Sequence, residues 1–289
     1  MFDLLHNFEP SATLISFSGV QIYWYGMFIV AGILASLSVS LKLAKRSQIP
    51  PEKVFDLAFW LIIFGILGAR VYHVFLEFGY YLEKPLDIIK IWQGGLAIHG
   101  GIIAGLITVY FFCKKQSLNF WKISAILTPG IALAQAIGRW GNYFNQELFG
   151  LPTSLPWGIP IDIMKRPHAF ISSEYFHPTF LYESLGNLLI FTILLILVFN
   201  FIKKDRKNYQ YIVIAYLIMY SILRFSLEFI RIDRTPTVMG LRWPQIASIV
   251  IILASLVYLI WKKQKKGGIM PKADPLPEKA KESQAENES

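Results

Sequence analysis

Residues 179–201 read TFLYESLGNLLIFTILLILVFNF, a stretch in which Glu183 is the one charged side chain. A helix crosses the hydrocarbon core with about 20 mostly apolar residues, because there every backbone donor and acceptor must be satisfied within the helix itself. The stretch therefore predicts a membrane span. Working outward from it, comparable apolar blocks occur at 24–43, 54–75, 94–112, 120–137, 211–230 and 245–261. Glycine and polar residues dilute the third and fourth of these. The expected fold class is an all-α integral membrane protein with seven transmembrane helices. Composition agrees: the 289 residues are 54% hydrophobic and only 16% charged, with a mean hydropathy of +0.46, which is outside ordinary soluble usage.

Lys and Arg in short loops favour the cytoplasmic side of a span. One set of span flanks holds fifteen of them, from Lys42 to Lys53, Lys114 to Lys122, Lys203 to Lys207 and Lys262 to Lys266. The opposite set holds eight: Lys84, Lys90, Arg139, Lys165, Arg166, Arg231, Arg234 and Arg242. The bias predicts an outward N-terminus and a cytoplasmic C-terminus, which an odd number of spans satisfies. It also accounts for the formal charge of +9 without a nucleic-acid partner. The first twenty residues lack the basic start of a cleaved signal peptide, so the first span is expected to be retained, with residues 2–20 along the outer interface. Residues 1–266 form the expected transmembrane catalytic domain, with an outward head region at about 139–177. Residues 267–289, rich in Lys, Glu, Pro, Ala and Ser, read as a disordered cytoplasmic tail.

Cys113 is the single cysteine and can form no internal disulfide or multi-thiolate metal site, so a packing role is expected. The five histidines show no metal-ligand spacing, and neither a metal nor another cofactor is expected.

Ionisable residues in or beside an apolar layer need a partner or a task. Four clusters qualify. The first, GGLAIHGG at 94–101, offers His99 as a base among glycines, or alternatively a small-residue packing face with His99 as a polar contact. The second, GRWGNYFNQELFG at 138–150, reads as a loop beyond the fourth span. It either binds a phosphate through Arg139 and backbone donors or forms an interfacial turn with an Arg139–Glu147 pair. In the third, Tyr220, Arg224 and Glu228 recur at i, i+4 on one helix face, so Glu228 either neutralises Arg224 or orients it toward an anion. The fourth, HPTFLYE at 177–183, places Pro178 at a helix start and carries Glu183 into the fifth span. Arg70 needs an anionic partner, for which Glu183 is the internal candidate, and Tyr25 suits an aromatic belt. All of these fall in the outer half of the predicted bundle. Arg70, Arg139 and Arg224 beside a potential base suit an anionic lipid headgroup entering sideways from the membrane.

Taken together, GRWGNYFNQELFG, the HGG at 99–101, HPTFLYE and the RFSLEFIR at 224–231, in this order and spacing, resemble the bacterial prolipoprotein diacylglyceryl transferases. The resemblance covers nearly the whole chain apart from the tail. It implies a multi-pass protein of the bacterial cytoplasmic (inner) membrane with its active site on the extracytoplasmic side. It also implies the reaction: the diacylglyceryl group of phosphatidylglycerol is transferred to the thiol of the lipobox cysteine in a prolipoprotein signal peptide, releasing glycerol phosphate. Carried over by motif, Tyr25, His99, Arg139, Asn142, Glu147, Gly150, Tyr220, Arg224 and Glu228 match the family's functional positions. Arg139 and Arg224 are assigned to the lipid phosphate, Asn142 and Glu147 to headgroup positioning, Glu228 to orienting Arg224, and His99 to base or lipid-positioning duty. Gly150 is expected to permit a backbone turn or close lipid approach. Trp140, Gln146 and Phe149 depart mildly from the common signature and bear on groove shape alone. A transporter would require a polar route continuing inward, and an intramembrane serine protease would require a Ser nucleophile motif; neither is visible in the chain.

Overall fold

The predicted spans form because their apolar runs are long and their ends are marked by residues that stop or start a helix. In the computed structural model, which describes residues 2–17, 20–204 and 206–267, the chain opens with α1 (Phe2–Asn7) and a hairpin of β1 (Thr13–Phe17) and β2 (Val20–Tyr23). The long helices α2 (Trp24–Arg46) and α3 (Pro51–Leu76) follow, with Pro51 in the first turn of α3, where its missing N–H costs nothing. A short α4 (Phe78–Glu83) and two 3-10 turns lead to α5 (Ile98–Lys115) and α6 (Phe120–Asn145). The side chain of Asn119 caps α6 by accepting from the Lys122 amide at 2.9 Å. A segment carrying β3 (Ile159–Pro160) and β4 (Tyr175–Phe176) precedes α7 (Thr179–Lys203) and α8 (Gln210–Leu227). A last hairpin, β5 (Thr237–Val238) with β6 (Leu241–Arg242), enters α9 (Trp243–Gly267).

Seven of these helices, α2, α3, α5, α6, α7, α8 and α9, are long and apolar enough to cross a membrane, as the sequence predicts. Large apolar side chains such as Leu34, Leu67, Leu106 and Val250 are exposed on them, which a lipid-facing surface explains. The centre of the bundle is α6, which packs on α2, α5, α7 and α8. Helices α3 and α5 approach closely through glycines. A Cβ on Gly68 would lie 2.7 Å from the Gly100 carbonyl oxygen, and one on Gly100 would run into the Gly68 carbonyl. The small-residue face read from sequence at Gly101 and Gly105 does meet α3, where a Cβ would lie at 3.4 and 3.7 Å, but the tight contact falls at Gly100. One apolar core lies at the end of the bundle near Leu43, Val54, Ile123, Leu194 and Ile212. Cys113 is buried in it, a packing role as expected.

Several boundaries differ from the sequence expectation, three of them beside the predicted site residues. The third span begins at Ile98 rather than at residue 94, because Gly94 (φ 92°) and Gly95 (φ 74°) adopt left-handed conformations that no helix continues. The fourth span does not stop at residue 137 but runs to Asn145. Most of the 138–150 segment expected to be a loop is therefore helix, and the head region starts only at Gln146, whose φ of 51° and ψ of 53° end α6. The sixth span closes at Leu227, short of residue 230. The predicted tail, 267–289, lies outside the described residues but for Gly267, which ends α9.

A second core forms at the far end of α6 from Leu5, Tyr143, Phe149, Ile159, Phe176 and Phe180. The N-terminal segment docks on this head rather than only lying along an interface. His6 stacks on Tyr175 at 4.1 Å between ring centroids and bonds through Nδ1 to the Gly158 carbonyl at 2.8 Å. The Gln146 amide donates to the Pro10 carbonyl at 2.8 Å.

Candidate active site

Continuing α6 to Asn145 has a direct consequence: Arg139 and Asn142, three residues apart, share one face of a rigid helix. Arg139 Nη1 donates to Asn142 Oδ1 at 3.1 Å, and Asn142 Nδ2 donates to Glu147 Oε1 at 2.7 Å. The direct Arg139–Glu147 pair considered from sequence is thus replaced by a relay through the buried Asn142 amide. The direct carboxylate partner of Arg139 is Glu183 of α7, with Nη2 to Oε1 at 2.6 Å. The Tyr220 hydroxyl of α8 also lies within hydrogen-bonding reach of Arg139.

From Glu183 the charges run on without a break. Glu183 Oε2 is 3.7 Å from Arg231 Nη1, and Arg231 Nε is 2.8 Å from Asp233 Oδ1. Asp233 Oδ2 is 3.7 Å from Arg242 Nη2, and Arg242 Nε is 3.0 Å from Glu228 Oε1. Glu228 Oε2 is in turn 3.0 Å from Arg224 Nη2. Glu183 and Glu228 are each 1% exposed and Arg231 6%. Removing such ions from water costs several kcal/mol apiece, so each carboxylate is held between two cations. Burial opposes ionisation of Asp233, but the Arg231 hydrogen bond and the charges of Arg231, Arg242 and Arg224 outweigh it and keep its carboxyl below the usual range.

The run of ion pairs holds four guanidiniums (Arg139, Arg224, Arg231, Arg242) and three carboxylates (Glu183, Asp233, Glu228), and Glu147, which joins Arg139 through Asn142, brings a fourth. Arg224 Nη1 is buried and, among the described residues, has no hydrogen-bond partner. A buried, charged donor without an acceptor is costly, and an anion would satisfy it.

The remaining residues surround this chain. Tyr25, in the first turn of α2, packs on Gly141 so closely that a Cβ there would lie 2.7 Å from Tyr25 Cδ2. Gly150 is buried where three backbone segments meet. Its amide donates to the His177 carbonyl at 2.9 Å, it bridges to Arg231, and a Cβ would lie 2.8 Å from the Ile230 carbonyl oxygen. A side chain at Gly150 has no room between these backbones. Burial holds the neighbouring His177 imidazole below its usual pKa. His99 is exposed in the first turn of α5 and stands apart from the ion-pair chain, its ring 6.1 Å from that of Tyr72.

Arg70 is not the partner of Glu183. It donates to the carbonyls of Ile88 at 2.8 Å, Gly94 at 2.7 Å and Gly95 at 2.8 Å, and lies over the Tyr81 ring. It fastens the 78–97 arm to α3, because backbone oxygens brought in by the left-handed glycines supply the negative charge expected of a carboxylate. Sequence reasoning missed Arg231, Asp233 and Arg242 as members of the site. Beside the start or end of an apolar span, an arginine looks like a flanking charge, and the one local signal was the excess of arginines over acids in residues 224–242.

The family model described as prolipoprotein diacylglyceryl transferase matches residues 12–261, which takes in every residue of this site. The chain belongs to that family. Among relatives of this transferase family, a protein of Synechococcus elongatus is 43% identical over 255 residues, covering 88% of each chain. A Nostoc protein is 41% identical over 270 residues, covering 92% of this chain and 95% of its own. A Finegoldia magna protein is 46% identical over 250 residues, covering 86% and 95%. All three are named phosphatidylglycerol–prolipoprotein diacylglyceryl transferase. Family membership and the seven apolar helices together make this transferase a multi-pass membrane protein.

Proposed function

We propose that the chain transfers the diacylglyceryl group of phosphatidylglycerol to the thiol of the lipobox cysteine of a prolipoprotein, the first step of bacterial lipoprotein maturation. The reading is carried by the buried Arg224 Nη1 donor, which has no hydrogen-bond partner among the described residues, at the end of the ion-pair chain. A phosphodiester supplies the missing acceptor. In the reaction, the cysteine sulfur forms a bond to the terminal glyceryl carbon as the bond from that carbon to the phosphate oxygen breaks. The electron pair leaves on glycerol phosphate, and the thiol proton passes to a base.

Arg139 and Arg224 bind the phosphate and stabilise the charge that grows on the leaving oxygen. Asn142 and Glu147 position the glycerol headgroup, and Tyr25 and Tyr220 line its approach. Glu228 orients Arg224. His99, exposed and clear of the arginines, takes the thiol proton or positions lipid. The excess of Lys and Arg on the opposite flanks supports an outward N-terminus and a site on the extracytoplasmic side of the cytoplasmic membrane.

Incubating the purified protein with phosphatidylglycerol and a lipobox peptide tests the reading. The expected result is release of glycerol phosphate with a matching gain in peptide mass. Failure to observe either overturns it.

A further inference from the structure

The residue with the most extensive polar contacts at the site is Arg242, on β6 just ahead of α9. Its Nε pairs with Glu228 Oε1 at 3.0 Å, and its Nη1 reaches the Glu228 carbonyl at 3.4 Å and also bonds the Arg231 carbonyl. Its Nη2 bonds the Asp233 carbonyl and Thr235 Oγ1, the latter at 3.1 Å. One guanidinium thus gathers the turn after α8 and fixes the far oxygen of Glu228. Only the five-donor fork of arginine can serve so many oxygens at once.

Glu228 sits fully buried between two cations, one oxygen facing Arg242 and the other Arg224. Oε1 faces Arg242 and Oε2 faces Arg224 as ion pairs without hydrogen-bond geometry, and Arg224 Nη1 is likewise without a hydrogen-bond partner among the described residues. Without Arg242, a buried carboxylate would have one guanidinium left to satisfy both its oxygens, and the preferred geometry of that pair is the two-point fork. Such a fork would draw in Nη1 and cancel the charge that an anion needs.

We infer that Arg242 is a positioning residue of the transferase site: by holding Glu228, it keeps Arg224 available to the phosphate of the lipid donor. This rests on the proposed transfer from phosphatidylglycerol. It assigns to the hairpin before α9 a role in presenting Arg224 to the donor phosphate.

The test is steady-state kinetics of Arg242→Gln and Arg242→Lys with phosphatidylglycerol and a lipobox peptide. Loss of a charged hydrogen bond to phosphate is worth about tenfold or more in affinity. Arg242→Gln is therefore expected to raise KM for phosphatidylglycerol about tenfold and to lower kcat as well, with the KM for peptide little changed. Lysine retains the charge beside Glu228 but not the fork to the carbonyls, so Arg242→Lys is expected to return KM close to the parent value even if its Tm falls. A folded Arg242→Gln with unchanged lipid KM, or an Arg242→Lys as impaired in lipid KM as the glutamine variant, overturns the inference.

If Arg242→Gln does not fold, the pair Glu228→Gln and Glu228→Gln/Arg242→Gln decides, since neither leaves a carboxylate at position 228. Equal lipid KM in the two supports the inference, and a further rise in the double variant overturns it. Absence of turnover in the parent protein is the failure of the functional reading itself, and the inference falls with it. Turnover in the parent with an unaltered lipid KM in the variants defeats the inference alone.

Discussion

The Glu183 carboxylate lies 2.6 Å from the Arg139 guanidinium, joining α7 to α6 inside the bundle. On its other side the same carboxylate faces Arg231. Glu183 is thus the joint between the signature helix and the α8–α9 turn, and it is 1% exposed.

Replacing Glu183 with Ala leaves two neighbouring guanidiniums with their shared carboxylate removed. Breaking a buried pair from one side costs about 3–5 kcal/mol. A marked fall in Tm is expected for Glu183→Ala and a smaller one for Glu183→Gln, read by thermal unfolding in detergent. Equal Tm values for parent and Ala variant would contradict the burial argument.

For the phosphate-binding face of α6, Arg139→Ala and Asn142→Ala are each expected to lower transfer by about 100-fold or more, the usual cost of removing one preorganised donor. Membrane insertion should be unaffected. Glycerol phosphate release, measured beside membrane fractionation, checks both. Near-parental turnover in the two variants would mean that this face is structural.

His99→Gln separates two roles, since glutamine retains a polar group but cannot take a proton near neutral pH. Loss of the rate with lipid affinity retained is expected for a base. A turnover within a few-fold of the parent protein would assign His99 to positioning.

Two glycines of the signature should respond oppositely to alanine. At Gly150 a Cβ would press on the Ile230 carbonyl oxygen and His177 Cβ, each at 2.8 Å, so Gly150→Ala is expected to destabilise by about 1–3 kcal/mol. At Gly138 a Cβ meets nothing within 4 Å, and in a helix alanine gains about 0.5–1 kcal/mol over glycine. Chemical denaturation of the two variants compares them, and a stabilised Gly150→Ala would refute the crossing geometry.

His177 gives a pH dependence with a definite sign. Burial lowers its folded pKa from the ordinary 6.5, so below that value the unfolded chain binds a proton that the folded chain resists. Its contribution to stability is present above pH 6.5 and is lost as pH falls toward the folded pKa. Tm should drop on acidification from pH 7 through this window, and His177→Gln should flatten that part of the profile. An identical profile in the variant would assign the drop to other groups.

The sequence by itself determined the seven apolar helices, because span length follows from bilayer thickness and needs no partner. It also placed Tyr220, Arg224 and Glu228 at helical spacings that put them on one shared face, and assigned Cys113 to packing. Local propensity was a poorer guide at the signature: glycines and polar residues at 138–145 suggest a loop, but packing against α2 and α7 keeps them helical. Only the tertiary structure decided which charge meets which. Arg139 chose Glu183 over Glu147, Arg70 took backbone carbonyls, and Arg242 came back across a hairpin to Glu228. Periodicity orients a side chain around its own helix. The partner is set by which helices lie side by side and by the need to pair every buried charge, and that need is settled across the whole bundle at once.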